Sequence, residues 1–240
     1  MPVTVINKKI MNSNARTVLK RTAIVFGATG LTGSNLTEEL ANTEAYDKIL
    51  IFTRRKSQAS NPKFREIEFD ITKIEAVKEE IKGDDIFCCL GTTIKKAGSQ
   101  EAFRKVDLEA PAKIASIAAE NGVKQFIVIS SIGADPGSRN FYLRTKGQME
   151  QTVQKEHFQT VAILRPSMIT GKRKEFRLAE EAGKMIYRPL EKLLFGRLRK
   201  YRSIKAKTIA RAMVNIALSP QDKTVFESHE IQKLAGVTGN

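Results

Sequence analysis

The sequence contains few of the residues that build disulfide frameworks and metal sites. Its 240 residues include two cysteines and two histidines. Cys88 and Cys89 are adjacent in an apolar stretch, and because neighbours in a strand point to opposite faces, we expect two small buried hydrophobes rather than a bridge. With only His157 and His229 elsewhere, no zinc-binding spacing is recognisable, so we expect no metal. These features suit a reducing environment, and we expect a cytoplasmic protein.

Long apolar runs are also missing. None approaches the roughly 20 residues that cross a bilayer, and stretches such as 49–52 and 126–129 have the length of buried strands. Apolar residues nevertheless make up 41% of the chain and charged residues 28%. This composition gives enough material for the core of one larger domain. The sequence therefore predicts a soluble globular protein.

Acidic residues are absent from the first 37 positions. The same stretch holds five basic residues, namely Lys8, Lys9, Arg16, Lys20 and Arg21. An acid-free basic start can be a mitochondrial presequence, but this one has a single arginine in its first 20 residues and little serine. We expect residues 1–20 to form an N-terminal arm.

Positive charge is concentrated near the C-terminal end. The chain has 41 Lys and Arg against 26 Asp and Glu, a formal net charge of +15, and the segment 171–207 holds thirteen of the basic residues and four acids. Its leucines alternate with basic residues, which leaves open a peripheral membrane or protein contact. The simpler alternative is a helix that packs its leucines on the sheet. No recognisable reading motif accompanies the charge, so we expect no specific nucleic-acid binding.

Short apolar runs alternate with helical segments through the rest of the chain. The pattern predicts strands over 22–26, 49–52, 64–69, 86–90, 126–130 and 161–164, with helices around 31–40, 74–81, 103–121, 142–155 and 204–218. Strands that are apolar almost throughout indicate a parallel sheet covered on both faces. We predict an α/β fold with a doubly wound parallel sheet in one domain over 21–240, in which 171–240 forms a small helical substrate cap.

A glycine-rich turn joins the first strand to the first helix. Its residues are Gly27, Ala28, Thr29, Gly30, Leu31, Thr32 and Gly33. In such a turn the first glycine permits a tight exit from the strand, the second lets the backbone approach a pyrophosphate, and the third lets the helix lie close to the sheet. The spacing G-x-x-G-x-x-G differs from the usual G-x-G-x-x-G, but its position between strand and helix favours dinucleotide binding by this turn.

The ends of the next three strands carry further candidates for cofactor binding. The second ends in Thr53-Arg54-Arg55-Lys56, with no carboxylate to repel a 2′-phosphate, so NADP(H) is preferred as the cofactor and NAD(H) stays possible. A basic loop facing water is the alternative. Asp70 and Ile71 follow the third strand, where a carboxylate could accept a hydrogen bond from the adenine amino group. The fourth closes with Leu90, Gly91 and Thr92, which give the cofactor room.

Tyr142 and Lys146 are four residues apart and share one face of a helix. A tyrosine is a weak acid near neutrality, and a neighbouring ammonium favours its ionised form. Ser131 follows the fifth strand and could donate to a substrate carbonyl oxygen. Together the three residues predict a hydride-transfer site.

The chain resembles the short-chain dehydrogenase/reductase superfamily, in the atypical branch that includes the Tat-interactive protein oxidoreductases. The glycine turn, Ser131 and the stretch 142–146 carry the superfamily resemblance. The closer match rests on 130–135, 140–142, Lys146-Gly147, Arg165-Pro166 and 210–215, and it covers nearly the whole chain from about residue 22.

This resemblance implies an NADP(H)-binding Rossmann fold. Tyr142 would be the general acid/base, with Lys146 favouring its phenolate and holding the nicotinamide ribose. Ser131 would orient the substrate oxygen, with Ser130 as its rival. Pro166, Ser167 and Met168 would line the nicotinamide pocket. Superfamily members often carry an Asn before the serine strand, but Val106-Asp107 stands in that region, which leaves a relay through an Asn in doubt.

The resemblance leaves two functions open. The chain is expected to be an oxidoreductase acting on a small carbonyl or alcohol substrate, as a monomer or a homodimer. The alternative is an NADPH-binding redox sensor or regulatory partner protein with little or no turnover. No polar constellation in the cap identifies the substrate.

Overall fold

The computed structural model describes residues 20–56, 61–171, 199, 201–219 and 221–236. Of the expected N-terminal arm it describes Lys20 alone. The sequence also predicts one or two basic helices over 175–202, and all of that range except 199, 201 and 202 lies outside the described residues. Most of the segment 171–207, for which a membrane or protein contact was left open, lies outside them as well.

One parallel sheet forms the centre of the molecule. Its strands are β1 (Arg21–Phe26), β2 (Tyr46–Thr53), β3 (Phe64–Glu68), β4 (Asp85–Cys88), β5 (Gln125–Ile129), β6 (Thr160–Arg165) and β9 (Val225–Glu227). They lie in the order β3-β2-β1-β4-β5-β6-β9, and every neighbouring pair is parallel. Two short strands, β7 (Ile169–Thr170) and β8 (Ile204–Lys205), pair separately. The doubly wound parallel sheet predicted from the sequence is confirmed.

Helices cover both faces of this sheet. They are α1 (Leu31–Ala41), α2 (Ile94–Ala97), α3 (Gln100–Arg104), α4 (Ala110–Glu120), α5 (Phe141–Gln154), α6 (Ala206–Leu218) and α7 (Ser228–Leu234). A 3₁₀ segment, Ile74–Glu80, precedes β4, and a π-helical turn, Lys105–Glu109, joins α3 to α4. The helices α1, α6 and α7 enclose one apolar cluster against the sheet, whereas the 3₁₀ segment, α4 and α5 enclose the other.

Aromatic side chains fill the second cluster near the strand ends. The rings of Phe26 and Phe52, from neighbouring strands, stack with centroids 4.5 Å apart, and Phe69 meets both edge-on. All three are buried. The three rings therefore pack together near the carboxyl ends of the first three strands, on the face of the sheet that α4 and α5 cover.

The chain after residue 203 contributes to the layers of the main sheet. Helix α6 packs against α1, and β9 pairs with β6 through Phe226, which is buried. These C-terminal helices are present as expected, whereas β9 and α7 were not predicted, because three apolar or acidic residues before a short helix give no clear strand pattern. The boundary of a substrate cap at residue 171 stays a prediction.

Parallel pairing brings the carboxyl ends of β1 to β6 to one edge of the sheet, and β1 and β4, which diverge in chain order, lie side by side at its centre. A crevice at such a switch point is where ligands bind in this architecture. The opposite edge is closed by Asp85, which accepts hydrogen bonds from Arg21 and from the Tyr46 hydroxyl, the latter at 2.7 Å. Among the described residues, no helix has both the length and the apolar character needed to cross a membrane.

Candidate functional site

The glycine turn begins where β1 ends and is packed against the end of β4. Gly27 has φ +82°, in the left-handed region that other residues avoid, and a Cβ there would lie 2.6 Å from the carbonyl oxygen of Cys89. A Cβ on Gly33 would lie 2.1 Å from the carbonyl oxygen of Gly27. The turn therefore excludes side chains at two of its glycines, which brings α1 close to the sheet.

Helix α1 starts at Leu31 with Gly30 as its N-cap, and no side chain caps it. Uncapped N–H groups in a first turn can donate to an anion, which the helix dipole also favours. Thr29 and Gly30 are exposed, whereas Thr32 and Gly33 are buried. The residues of this turn fit the paired phosphates of a dinucleotide.

The end of β2 presents two arginines to solvent. Arg54 and Arg55 are exposed, and the buried Thr53 donates from Oγ1 to the carbonyl oxygen of Arg55 at 2.9 Å, which fixes the backbone of this turn. Arg54 and Arg55 thus follow the strand next to β1, at the edge of the sheet where the glycine turn lies.

Asp70, which follows β3, stabilises the turn that it begins. Its Oδ1 accepts from the backbone N–H and from the hydroxyl of Thr72, both at 2.8 Å, and these bonds hold the pKa of the carboxyl below its usual range. Asp70 is exposed and Ile71 is half-buried. The carboxylate is thus ionised and accessible at this edge of the sheet.

Lys146 lies inside the molecule, next to the end of β4. It is 4% exposed, its Nζ lies 2.7 Å from Oδ1 of Asp107, and a Cβ added at Gly91 would be 3.9 Å from that Nζ. Burial alone would lower the pKa of Lys146, but the Asp107 carboxylate and the nearby Tyr142 raise it above its usual value. Lys146 is therefore an ammonium beside Gly91.

Tyr142 lies one turn before Lys146 on α5. Its side chain is half-buried, and its ring lies 5.6 Å from that of Phe103 in α3. Asn140 caps the helix by accepting from the N–H of Leu143 at 3.1 Å. The cap and the aromatic contact place the tyrosine near the first turn of α5, at the edge of the sheet that carries the glycine turn.

Ser130 and Ser131, which follow β5, have different surroundings. The Ser130 hydroxyl is buried and donates to Glu150 at 2.5 Å, and Glu150 in turn pairs with Arg165. Ser131 is half-buried, and its hydroxyl has a long 3.4 Å contact with the carbonyl oxygen of Ile132. The hydroxyl of Ser131 is thus less committed to the protein than that of Ser130.

The segment after β6 passes the same edge. Pro166 is buried and accepts from the N–H of Ile132 at 3.0 Å. The Ser167 N–H donates to the Ser228 hydroxyl at 2.7 Å, while its own hydroxyl donates to the carbonyl oxygen of Arg202. Met168 is 39% exposed. This leaves Met168 as the accessible side chain of the three, whereas Ser167 is held by the protein.

Two buried carboxylates of the site, those of Asp107 and Glu150, were not predicted from the sequence to pair with other side chains of the site. Asp107 was noted only as standing where an Asn is common, and Glu150 was not singled out. Both could have been recognised in the sequence, because an acidic residue on the apolar face of a helix needs a cation or a hydrogen-bond donor beside it. Glu150 also follows Lys146 by one helical turn.

The cysteines are free, as expected. Burial raises the pKa of the Cys88 thiol to about 11, so it is neutral at physiological pH. Across the described parts of the chain, no group of three or more His, Cys, Asp and Glu is placed to hold a metal ion.

A glycine turn at the switch point of a doubly wound sheet, with an uncapped helix behind it, defines a dinucleotide-binding protein of the Rossmann class. The family of NAD(P)H-binding proteins matches residues 27–220. The chain belongs to this family, as an atypical short-chain dehydrogenase/reductase, which confirms the resemblance seen in its motifs.

Curated relatives extend along most of the chain. The protein HTATIP2 of Rattus norvegicus is 30% identical over 204 residues, which cover 83% of this chain and 82% of the relative. The mitochondrial protein FMP52 of Candida albicans is 36% identical over 156 residues, or 63% of this chain and 68% of the relative. The mitochondrial protein FMP52 of Eremothecium gossypii is 30% identical over 223 residues, which cover 88% of this chain and 96% of the relative.

Solved structures share the fold at low sequence identity. WbmH of Bordetella bronchiseptica in complex with NAD+ has a TM-score of 0.66 and 16% identity, over 90% of this chain and 80% of that one. MoeE5 in complex with UDP-glucose and NAD has a TM-score of 0.63 and 17% identity, over 90% of this chain and 82% of that one. These likenesses support the Rossmann architecture.

The relatives overturn one expectation. A cytoplasmic protein was expected from the cysteine content, but the FMP52 relatives are named mitochondrial. That expectation was wrong because free thiols report a reducing environment and do not tell one such compartment from another.

Proposed function

We propose that this chain is an NADP(H)-dependent oxidoreductase that moves a hydride between the nicotinamide and a small carbonyl or alcohol substrate. The observation that carries the proposal is the position of Lys146. Its ammonium lies beside Gly91, in the loop that continues from the Cys89 and Leu90 backbone on which Gly27 rests. The anion-binding turn and the charged residue of α5 are thus linked through one strand end.

Each residue has a role in this proposal. The glycine turn and the first N–H groups of α1 bind the two phosphates, and Asp70 accepts from the adenine. The nicotinamide, when bound, supplies or accepts the hydride. Tyr142 gives a proton to the substrate oxygen during reduction or removes it during oxidation. Lys146 places its positive charge near Tyr142 and holds the ribose, and Ser131 donates to the substrate oxygen.

The preference for NADP(H) rests on Arg54 and Arg55. Both are exposed at the end of β2, where a 2′-phosphate would accept charge-assisted hydrogen bonds from guanidinium groups. The proposal assigns the remaining cofactor contacts to Leu90, Thr92 and the segment 166–168, which follow β4 and β6 in the chain.

Tyr142→Phe tests the chemistry. Purified protein is incubated with NADPH and a panel of aldehydes and ketones, and oxidation is followed at the absorbance of the reduced nicotinamide. Removing a general acid lowers turnover by about 10²- to 10⁴-fold, whereas NADPH affinity should stay close to that of the wild type.

Tyr46→Phe is the matched control, because it removes a tyrosine hydroxyl at the opposite edge of the sheet. At temperatures below its unfolding transition, this variant should turn over substrate at the wild-type rate. Carbonyl-dependent oxidation that survives in Tyr142→Phe would remove the assigned mechanism. Tight NADPH binding by the wild type without turnover on any carbonyl would favour the sensor instead.

We further propose that the protein is mitochondrial. The FMP52 relatives carry that word in their names. Residues 1–20 of this chain hold four basic residues and no acid, and a low acid content is one feature of mitochondrial presequences. A C-terminal fluorescent fusion should co-localise with mitochondria and lose that location without residues 1–20. Diffuse cytosolic fluorescence of the full chain would contradict the proposal.

A further inference from the structure

The environment of Lys146 is unusual for a lysine. The side chain is 4% exposed and ends among buried groups, whereas lysines are almost never fully buried unless paired. Three elements surround its Nζ with titratable groups: Tyr142 of α5 itself, Asp107 of the π-helical turn and Cys88 of β4. Cys88 is a neutral thiol at physiological pH, because burial raises its pKa to about 11. Asp107 is therefore the group in this set that balances the charge.

Asp107 is itself buried, with no exposed surface. Its Oδ1 lies 2.7 Å from Nζ of Lys146, and its Oδ2 accepts from the backbone N–H of Thr92 at 2.8 Å. One carboxylate thus joins α5 to the loop that follows β4. That loop includes Gly91, at which an added Cβ would lie 3.5 Å from Oδ1 of Asp107.

The backbone around Asp107 departs from regular helix. Residues Lys105–Glu109 form a π-helical turn between α3 and α4, where a single long helix was predicted from the sequence. Such turns are frequent at functional sites, since the extra residue redirects a side chain. Here the turn lies where the carboxylate meets both Lys146 and Thr92.

We propose that Asp107 is the positioning residue of this site, whose carboxylate holds Lys146 as a buried ammonium and fixes the Gly91–Thr92 loop beside it. The catalytic consequence rests on the proposed function, but the charge of Lys146 does not. Without a partner, a buried lysine prefers its neutral form, because desolvation penalises the ammonium. A neutral amine would no longer place a positive charge beside Tyr142.

The titration of Lys146 can be measured without cofactor or substrate. Lysine labelled with ¹³C at Cε reports the charge of each amine by NMR, and the Lys146 signal is identified by its loss in Lys146→Arg. We expect the wild-type ammonium to persist to about pH 10 or above, where an exposed lysine titrates. In Asp107→Asn we expect its midpoint to fall by at least about one pH unit.

Two variants bracket this result. Asp85→Asn removes an equally buried carboxylate from its ion pair with Arg21 at the opposite edge of the sheet, and it should leave the Lys146 midpoint unchanged. Asp107→Glu keeps the charge and should restore most of the midpoint. An unchanged midpoint in Asp107→Asn would overturn the proposal.

The wild-type measurement stands even if Asp107→Asn does not fold. A Lys146 amine that loses its proton below about pH 9 in the wild type would show that Asp107 does not hold the ammonium. A protein that bound no NADPH would instead refute the proposed function, while the Lys146 titration would still test Asp107. In an active enzyme, Asp107→Asn should lose turnover progressively as pH rises, whereas an equal loss at every pH would assign Asp107 a structural role alone.

Discussion

The adjacent hydroxyl groups of Ser130 and Ser131 differ in what they can offer a substrate. Ser130 donates to Glu150, which also binds Arg165 through two guanidinium nitrogens. Because Ser130 has one proton and donates it inside the protein, a substrate oxygen would have to displace a charged acceptor. Ser131 has only a 3.4 Å contact to give up. The proposal therefore assigns substrate orientation to Ser131.

The same substitution at both serines tests this assignment. Ser131→Ala should lower kcat by about 10²-fold, as the loss of one donor to a developing oxyanion does, with an unchanged unfolding temperature. Ser130→Ala should keep kcat within a few-fold but lower the free energy of unfolding by about 1.5–3 kcal/mol, because a buried hydrogen bond to a charged group is lost. The reverse pattern in steady-state kinetics and thermal unfolding would exchange the two roles.

Part of this site could be predicted from the types and spacing of residues in the sequence, whereas the rest depends on contacts between residues that are far apart in the chain. The spacing of Tyr142 and Lys146 was visible in the sequence because a helix places residues four apart on one face. The contact of Lys146 with Asp107 was not, since 39 positions separate them and the π-helical turn that directs the carboxylate has no pattern of its own. Contacts between distant elements depend on how the helices pack, which local spacing does not fix.

At the scale of elements, α5 determines where the chemistry can occur. The helix carries Tyr142, Lys146 and Glu150 on consecutive turns, and it lies directly on the loop that follows Ser131. A Cβ added at Gly147 would lie 2.3 Å from the carbonyl carbon of Asp135 and from the nitrogen of Pro136. Both contacts are with backbone atoms, so neither can be relieved by rotating a side chain.

Gly147→Ala should therefore move α5 away from this loop. We expect a loss of about 1–3 kcal/mol in the free energy of unfolding, as for other overpacked sites, together with reduced turnover, because Tyr142 and Lys146 move with the helix. Gly137→Ala is the control: its nearest contact would be 3.5 Å, to a side-chain oxygen of Asp135. Chemical denaturation and kinetics should leave this control close to the wild type. Equal behaviour of the two variants would contradict the close packing of α5.

Element boundaries were predictable where apolar runs are long. The first six strands of the sheet were expected within a few residues of their positions. Apart from β3, which carries the exposed Arg65 and Glu68, these strands are largely apolar, as buried parallel strands are. The helix expected over 103–121 is instead α3, a π-helical turn and α4. The short strand β9 was not predicted from the sequence, because its three residues form a strand through pairing with β6, and this pairing exists only in the folded chain.

At the scale of the whole molecule, the two edges of the sheet have different tasks. The amino-end edge is closed by the buried Tyr46 and Asp85 together with the half-buried Arg21. Arg21 and Gln125 both donate to the carbonyl oxygen of Ala217 at the end of α6. The carboxyl-end edge has glycines, an uncapped helix and exposed arginines. Stabilising contacts and candidate binding groups thus lie at opposite ends of the strands, separated by the strand length.

Calorimetric titration of the wild type with NADPH and with NADH tests the central claim most directly. We expect heat that saturates at one NADPH per chain, with weaker binding of NADH. Replacing both Arg54 and Arg55 by alanine should weaken NADPH about 10- to 100-fold, as the loss of charge-assisted bonds worth about 1.5–3 kcal/mol requires, and leave NADH unchanged. Absence of heat with both coenzymes would contradict the account.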